Sequence, residues 1–216
     1  MADILDSVPW GPASKAAPKQ LVVLCHGLGA DGFDLIDLAP SWAHACPDAL
    51  FVSVHAPFEH ESGFGRQWWP PGDRRPAVVL ANARIAAGYL DRFIDAELAR
   101  LGLPPEAYAL MGFSQGGMTV LFTGLRRPVA PRAILAYSGR LVAPETLAAE
   151  LANKAPVLLV HGEADAQVPV ADSRAAEATL LALGVPVEAL YVPRLGHGID
   201  ESGIAMGALA LQRGFA

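Results

Sequence analysis

The chain has 216 residues, with 16 basic and 22 acidic side chains and a formal net charge of −6. That acidity gives no general attraction to nucleic acid or anionic lipid, and at roughly 150 residues per domain the length favours a single domain over residues 1–216. Fifty-two per cent of residues are hydrophobic and 18% charged, which excludes intrinsic disorder, and charges interrupt each apolar stretch too early for a membrane span.

Met1–Trp10 carries Asp3 and Asp6 and lacks a basic region and a long apolar run, so it does not read as a signal peptide. Residues 11–20 read as an exposed loop, which makes 1–20 a strand and loop extension of the domain. Leu21–Cys25 is a short apolar run, as expected of a strand buried on both faces. Asp31–Ala45 reads as a helix that Pro40 breaks or restarts. Ala49–Val54 is a second strand, and residues 55–75 form a long loop rich in Gly, Pro and aromatics. Pro76–Leu101 is the longest helical pattern, with Pro suited to its first turn and Gly102 to its end. The strand Ala107–Phe113 leads into a helix over Gln115–Arg127. Strand Arg132–Tyr137, helix Pro144–Lys154, strand Pro156–Val160, helix Val170–Leu183, strand Val187–Val192 and helix Gly198–Phe215 complete the chain. Strands alternating with helices predict an α/β fold, a mostly parallel sheet with helices on both faces.

Gly112-Phe113-Ser114-Gln115-Gly116 fits the G-x-S-x-G pattern between a strand and a helix. A tight turn there lifts a serine hydroxyl above the sheet, and the first N–H groups of the helix favour negative charge beside it. The plain alternative is a serine that merely caps the helix. A serine nucleophile needs a base and an orienting carboxylate, in the chain order Ser, acid, His. Two histidines follow Ser114. His197 stands between Gly196 and Gly198 just past a strand, whereas His161 reads as a structural residue within its turn. Among the carboxylates between, Asp165 follows the strand Pro156–Val160; Glu163 is its nearest rival, and Glu145, Glu150, Asp172 and Glu177 fall on predicted helices as solvated charge. His26, Ser114, Asp165 and His197 all follow apolar strands, and in a parallel sheet those ends share one edge where ligand crevices form.

Acyl transfer builds negative charge on a carbonyl oxygen, which backbone N–H groups can hold. The N–H of Gln115 and that of Leu28, in the loop His26–Gly32, are the candidate donors. That loop lacks the Gly-Lys-Ser/Thr ending of a phosphate-binding loop. Together His26-Gly27-Leu28-Gly29, Gly112–Gly117, His161–Pro169 and Gly196–Ile199 resemble the carboxylesterase/phospholipase group of α/β-hydrolases, which includes the acyl-protein thioesterases. The resemblance runs from about residue 20 to the C-terminus. It implies an α/β-hydrolase fold without a separate cap domain, and a cofactor-free enzyme acting on a small ester or acyl substrate. It also implies Ser114, Asp165 and His197 as catalytic residues, Leu28 and Gln115 as oxyanion donors, and a homodimer as the candidate assembly. Ala30 departs from the group's pattern, in which Asp often follows His-Gly-Leu-Gly directly; here Asp31 comes one residue later.

The loop before the long helix carries Phe58, Phe64, Trp68 and Trp69. Phe64 and Trp68, with Val168 from the Asp165 loop, are the candidate walls of an acyl pocket; anchoring of the loop or a dimer contact are the alternatives. Arg66, Arg74 and Arg75 could attract an anionic head group, although solvated charge is the simpler reading. Cys25 and Cys46 form neither a disulfide framework nor a CxxC pair, and Cys25 reads as a small buried hydrophobe. His26, His44, His55 and His60 lack metal-ligand spacing, so no metal is expected. The expected function is that of a cytoplasmic serine esterase. The alternatives are a catalytically silent binding protein, or a peptidase or perhydrolase on the same scaffold.

Overall fold

A computed structural model describes residues 4–216; the first three residues of the acidic start lie outside it. Seven strands form one sheet in the order β1-β3-β2-β6-β7-β8-β9. They are β1 (Ser7–Trp10), β2 (Gln20–Cys25), β3 (Ala49–Val54), β6 (Tyr108–Phe113), β7 (Ile134–Tyr137), β8 (Val157–Gly162) and β9 (Val187–Val192). All neighbours run parallel except β1, which pairs antiparallel with β3 along Ser7–Val54 to Trp10–Phe51. Two short strands, β4 (Phe58–Glu59) and β5 (Arg66–Gln67), make a separate hairpin inside the long aromatic loop.

The central strands are apolar in succession because both faces of the sheet are covered. On one face lie α3 (Pro76–Leu101), α4 (Gln115–Gly124), α5 (Pro144–Glu150) and α6 (Val170–Ala182), and on the other α1 (Gly32–Ile36), α2 (Ala39–Trp42) and α7 (Glu201–Phe215). The helix α3 buries Leu90, Phe93 and Ile94 on its inner side. Each such side chain contributes about 1.5–3 kcal/mol by leaving water. Gly102, at φ 65°, then closes the helix in the left-handed conformation that glycine adopts freely.

Several expected helices are shorter in the structure, and each has a local cause. Asp31–Ala45 divides into α1 and α2, since Pro40 lacks an N–H and sits in the first turn of α2. The Asp31 carboxylate accepts the Phe33 N–H and fixes the start of α1. α5 stops at Glu150 because the Asn153 amide donates to the carbonyls of Gly124 and Arg127 at 2.8 Å each, which draws the following residues toward the end of α4. α7 starts at Glu201, where Asp200 accepts the Gly203 N–H at 2.9 Å, so residues 196–199 remain a loop. No helix among the described residues is long and apolar enough to cross a membrane.

Candidate active site

Four loops leave the C-terminal ends of β2, β6, β8 and β9, and they carry Leu28, Ser114, Asp165 and His197 to one edge of the sheet. At the end of β6 the chain turns so sharply that Ser114 takes φ 54° and ψ −117°. Its N–H donates to the Tyr137 carbonyl at 2.8 Å, which anchors the turn to the adjacent strand. The two motif glycines are required by space. A Cβ on Gly112 would overlap the backbone of Gly116, and one on Gly116 would overlap the Cys25 carbonyl. The Ser114 side chain makes no capping bond to the helix that follows, so the hydroxyl is not engaged as an ordinary cap.

The His197 ring donates from Nδ1 to Asp165 Oδ2 at 2.7 Å. A carboxylate only accepts, so this bond places a proton on Nδ1, and in the neutral ring Nε2 is then the nitrogen that carries the free lone pair. Asp165 is held in turn by the backbone. Its Oδ1 accepts from the N–H groups of Gln167 at 2.8 Å and Val168 at 3.0 Å. Burial pushes the Asp165 carboxyl up, but the His197 bond and these two N–H groups together outweigh it and hold the group below the usual carboxylate range. Phe113 packs on the His197 ring with centroids 4.8 Å apart.

Ser114 and His197 line one cavity of about 680 Å³, together with Leu28, Gln115, Trp69, Met118 and Val168. Among the described residues no hydrogen bond joins Ser114 Oγ to the His197 ring. Among the described residues neither the Leu28 N–H nor the Gln115 N–H has an intramolecular acceptor. Among the described residues no cluster of three or more His, Cys, Asp or Glu could hold a metal ion. A second cavity, of about 490 Å³, lies at the N-terminal ends of β7, β8 and β9, remote from these side chains.

The family model of phospholipases and carboxylesterases matches residues 12–209. The chain belongs to the phospholipase/carboxylesterase family. It is 31% identical to esterase YpfH of Escherichia coli K12 over 191 residues, covering 85% of this chain and 78% of that one. It is 37% identical to acyl-protein thioesterase 1 of Schizosaccharomyces pombe over 176 residues, covering 76% of each chain. The crystal structure of esterase PE8 superposes with a TM-score of 0.91 at 41% identity, covering 97% of this chain and 99% of that chain. The architecture is accordingly that of the α/β-hydrolases.

For this family member the aromatic loop differs from the sequence expectation. Trp68 is fully buried and does not line the cavity. Its indole N–H donates to the His26 carbonyl at 3.0 Å, and its backbone N–H donates to Gln115 Oε1 at 2.8 Å. The adjacent Trp69 forms the wall instead, while its carbonyl accepts from the Gln115 amide at 2.8 Å. Phe64 is 83% exposed at the hairpin tip and does not line the cavity either. Val168 is in the wall. Arg66 is committed within the loop, donating to the carbonyls of Ala56 and Pro57, and Arg75 pairs with Asp73.

Three side chains support the site in ways the sequence did not disclose. The Gln115 amide donates to the Trp69 carbonyl at 2.8 Å while accepting from Trp68, so one side chain ties the tryptophan pair to the Ser114 turn. His26 accepts the Ala56 N–H at Nε2 and therefore donates from Nδ1 to the Gly27 carbonyl, at 3.0 and 2.7 Å. Burial, outweighing its other contacts, pushes the His26 ring below the usual histidine range and keeps it neutral as an anchor for the Leu28 loop.

His161 is also fully buried. Its Nε2 lies 2.9 Å from the Val168 carbonyl and 3.2 Å from Asp165 Oδ2, and its Nδ1 lies 2.8 Å from Ser173 Oγ. His161→Leu strands these groups in a dry environment and is expected to cost about 2–3 kcal/mol of stability. Urea unfolding of the variant checks this, and a midpoint equal to that of the parent contradicts it.

Proposed function

We propose that this chain is a serine hydrolase that cleaves carboxylic esters or thioesters through an acyl-enzyme, with Ser114 as nucleophile, His197 as base and Asp165 as its orienting acid. The observation that carries the reading is the 2.7 Å bond from His197 Nδ1 to Asp165 Oδ2 on the cavity that Ser114 also lines. Neutral His197 offers Nε2 as the proton acceptor. Ser114 Oγ turns within its cavity to meet that nitrogen when substrate displaces solvent; such contacts are commonly loose before substrate binds.

Oγ then attacks the acyl carbon as its proton passes to Nε2. The oxygen of the tetrahedral intermediate takes its negative charge between the Leu28 and Gln115 N–H groups. The imidazolium beside it is stabilised by the Asp165 carboxylate. Collapse of the intermediate breaks the bond to the leaving group, which takes the proton from Nε2. A water molecule repeats the sequence on the acyl-enzyme, releasing the acid and restoring Ser114. Leu28, Trp69, Met118 and Val168 give the acyl group an apolar wall. Uniform apolar contact discriminates chain length weakly, so a range of modest acyl lengths is accepted.

A fluorophosphonate probe tests the nucleophile directly. The expected result is a single covalent adduct, mapped by mass spectrometry to Ser114 and lost in His197→Ala. Correctly folded protein that takes no label overturns the proposal and favours a silent binding protein. Labelled protein that turns over peptides or peroxide but no ester or thioester overturns the substrate class.

A further inference from the structure

Most arginines of this chain are engaged within it. Arg127 pairs with Asp91 and Asp95, Arg126 and Arg84 with Glu150, Arg174 with Glu163 and Arg213 with Glu188. Arg140 and Arg74 differ. Both line the cavity that holds Ser114 and His197, and among the described residues neither guanidinium donates a hydrogen bond or joins an ion pair.

Arg140 is the better placed of the two. It is half-buried, whereas Arg74 is exposed. It comes three residues after the end of β7, whose neighbour β6 ends at Phe113 just before Ser114. The chain before it is fixed from both sides, with the Ser138 N–H donating to the Val160 carbonyl at 2.8 Å and Ser173 Oγ donating to the Gly139 carbonyl at 3.1 Å. A guanidinium presents N–H donors in a planar fork that matches the two oxygens of a carboxylate or phosphate. Leaving such a group partly out of water and without an acceptor is unfavourable, and a bound anion removes that cost.

The acids of the same cavity do not neutralise it. Asp73 is held by Arg75 at 2.5 Å, and Asp34 and Asp172, which also line the cavity, form no ion pair with either arginine among the described residues. An anion is therefore recognised at one built point rather than by a general positive field.

We propose that Arg140, with Arg74 as a secondary cation, forms an anion subsite of the catalytic cavity, so that the preferred substrate is an ester carrying a carboxylate or phosphate close to the scissile bond. This inference rests on the esterase reading. The anion can belong to the acyl part, as in a half-ester of a dicarboxylic acid, or to the leaving group, as in the phosphate of a lysophospholipid.

Two pairs of probes separate these sources. The first compares 4-nitrophenyl hemisuccinate with 4-nitrophenyl pentanoate, and the second compares 1-octanoyl-glycerol-3-phosphate with 1-octanoylglycerol. The parent, Arg140→Ala and Arg140→Lys are assayed on all four after thermal unfolding has established that each variant is folded. In one pair the ratio of kcat/KM for the anionic ester over its neutral partner is expected to fall about 10- to 100-fold in Arg140→Ala, mainly through KM. Arg140→Lys keeps part of that preference, since it retains charge without the fork. The affected pair identifies which half of the substrate bears the anion. A ratio unchanged in both pairs overturns the subsite while leaving the esterase reading intact. A parent that hydrolyses none of the four esters overturns the esterase reading and the subsite with it.

Discussion

Replacing Ser114 with glycine is expected to abolish ester hydrolysis and to stabilise the fold at the same time. At φ 54° and ψ −117° the serine backbone lies where a Cβ is strained, and its side chain gives nothing back to the helix through a capping bond. Such strain costs on the order of 1–3 kcal/mol. Glycine relieves it but gains freedom in the unfolded chain, worth about 0.4–1 kcal/mol in the opposite direction. The net expectation for Ser114→Gly is a gain of about 1 kcal/mol. Ser114→Ala keeps the Cβ and should unfold close to the parent. Both variants remove the proposed nucleophile and should lower kcat/KM by about 10⁴–10⁶. Urea unfolding read beside hydrolysis of a 4-nitrophenyl ester checks the two effects together. Substantial turnover in either variant eliminates Ser114 as nucleophile, and a glycine variant less stable than the alanine variant eliminates the strain account.

The opposite signs of those effects show which features a sequence can display. Positions fixed by the backbone period were legible: β3, α3 and β9 begin and end where the apolar pattern and the Pro and Gly signals place them. The parallel order of the strands then sends Ser114, Asp165 and His197 to one edge, which residue order alone suggests. Side-chain direction in irregular loops was not legible. Trp68 and Trp69 are adjacent aromatics of the same type, and only the Gln115 clamp and the His26 carbonyl decide that Trp68 turns inward and Trp69 faces the cavity. The hairpin β4–β5 escaped notice because two-residue strands carry no period. Its position is set instead by long-range pairing, with the Gly29 N–H donating to the Arg66 carbonyl at 2.9 Å and the Arg66 N–H to Ala30 at 2.7 Å. His161 illustrates the same limit. The sequence reads it as a turn residue after a strand ending at Val160, whereas β8 runs on through Gly162 and includes it, and its approach to Asp165 depends on how residues 163–168 fold back on that strand.

Asp165→Asn is expected to lower kcat/KM by about 10³–10⁴ and to change how stability depends on pH. The carboxylate serves three donors at once, the His197 ring and the N–H groups of Gln167 and Val168. A carboxamide has one acceptor oxygen. If that oxygen keeps the two backbone N–H groups, its NH₂ faces His197 Nδ1. The ring then relieves the clash by moving its proton to Nε2, which can no longer accept the proton of Ser114. The lost charged acceptor also costs about 1–3 kcal/mol at neutral pH. The sign of the pH effect follows from the Asp165 carboxyl being held below its ordinary range in the folded protein. Its stabilising contribution is complete above the unfolded value of about 3.9 and is lost as pH falls through the lower folded value. The gap in stability between parent and variant should narrow as pH falls below about 4. Urea midpoints for both proteins between pH 7 and pH 3 measure that gap. A gap that widens as pH falls from about 4 to 3 reverses the sign, and the hydrogen bonds to Asp165 would then not be what holds its carboxylate ionised.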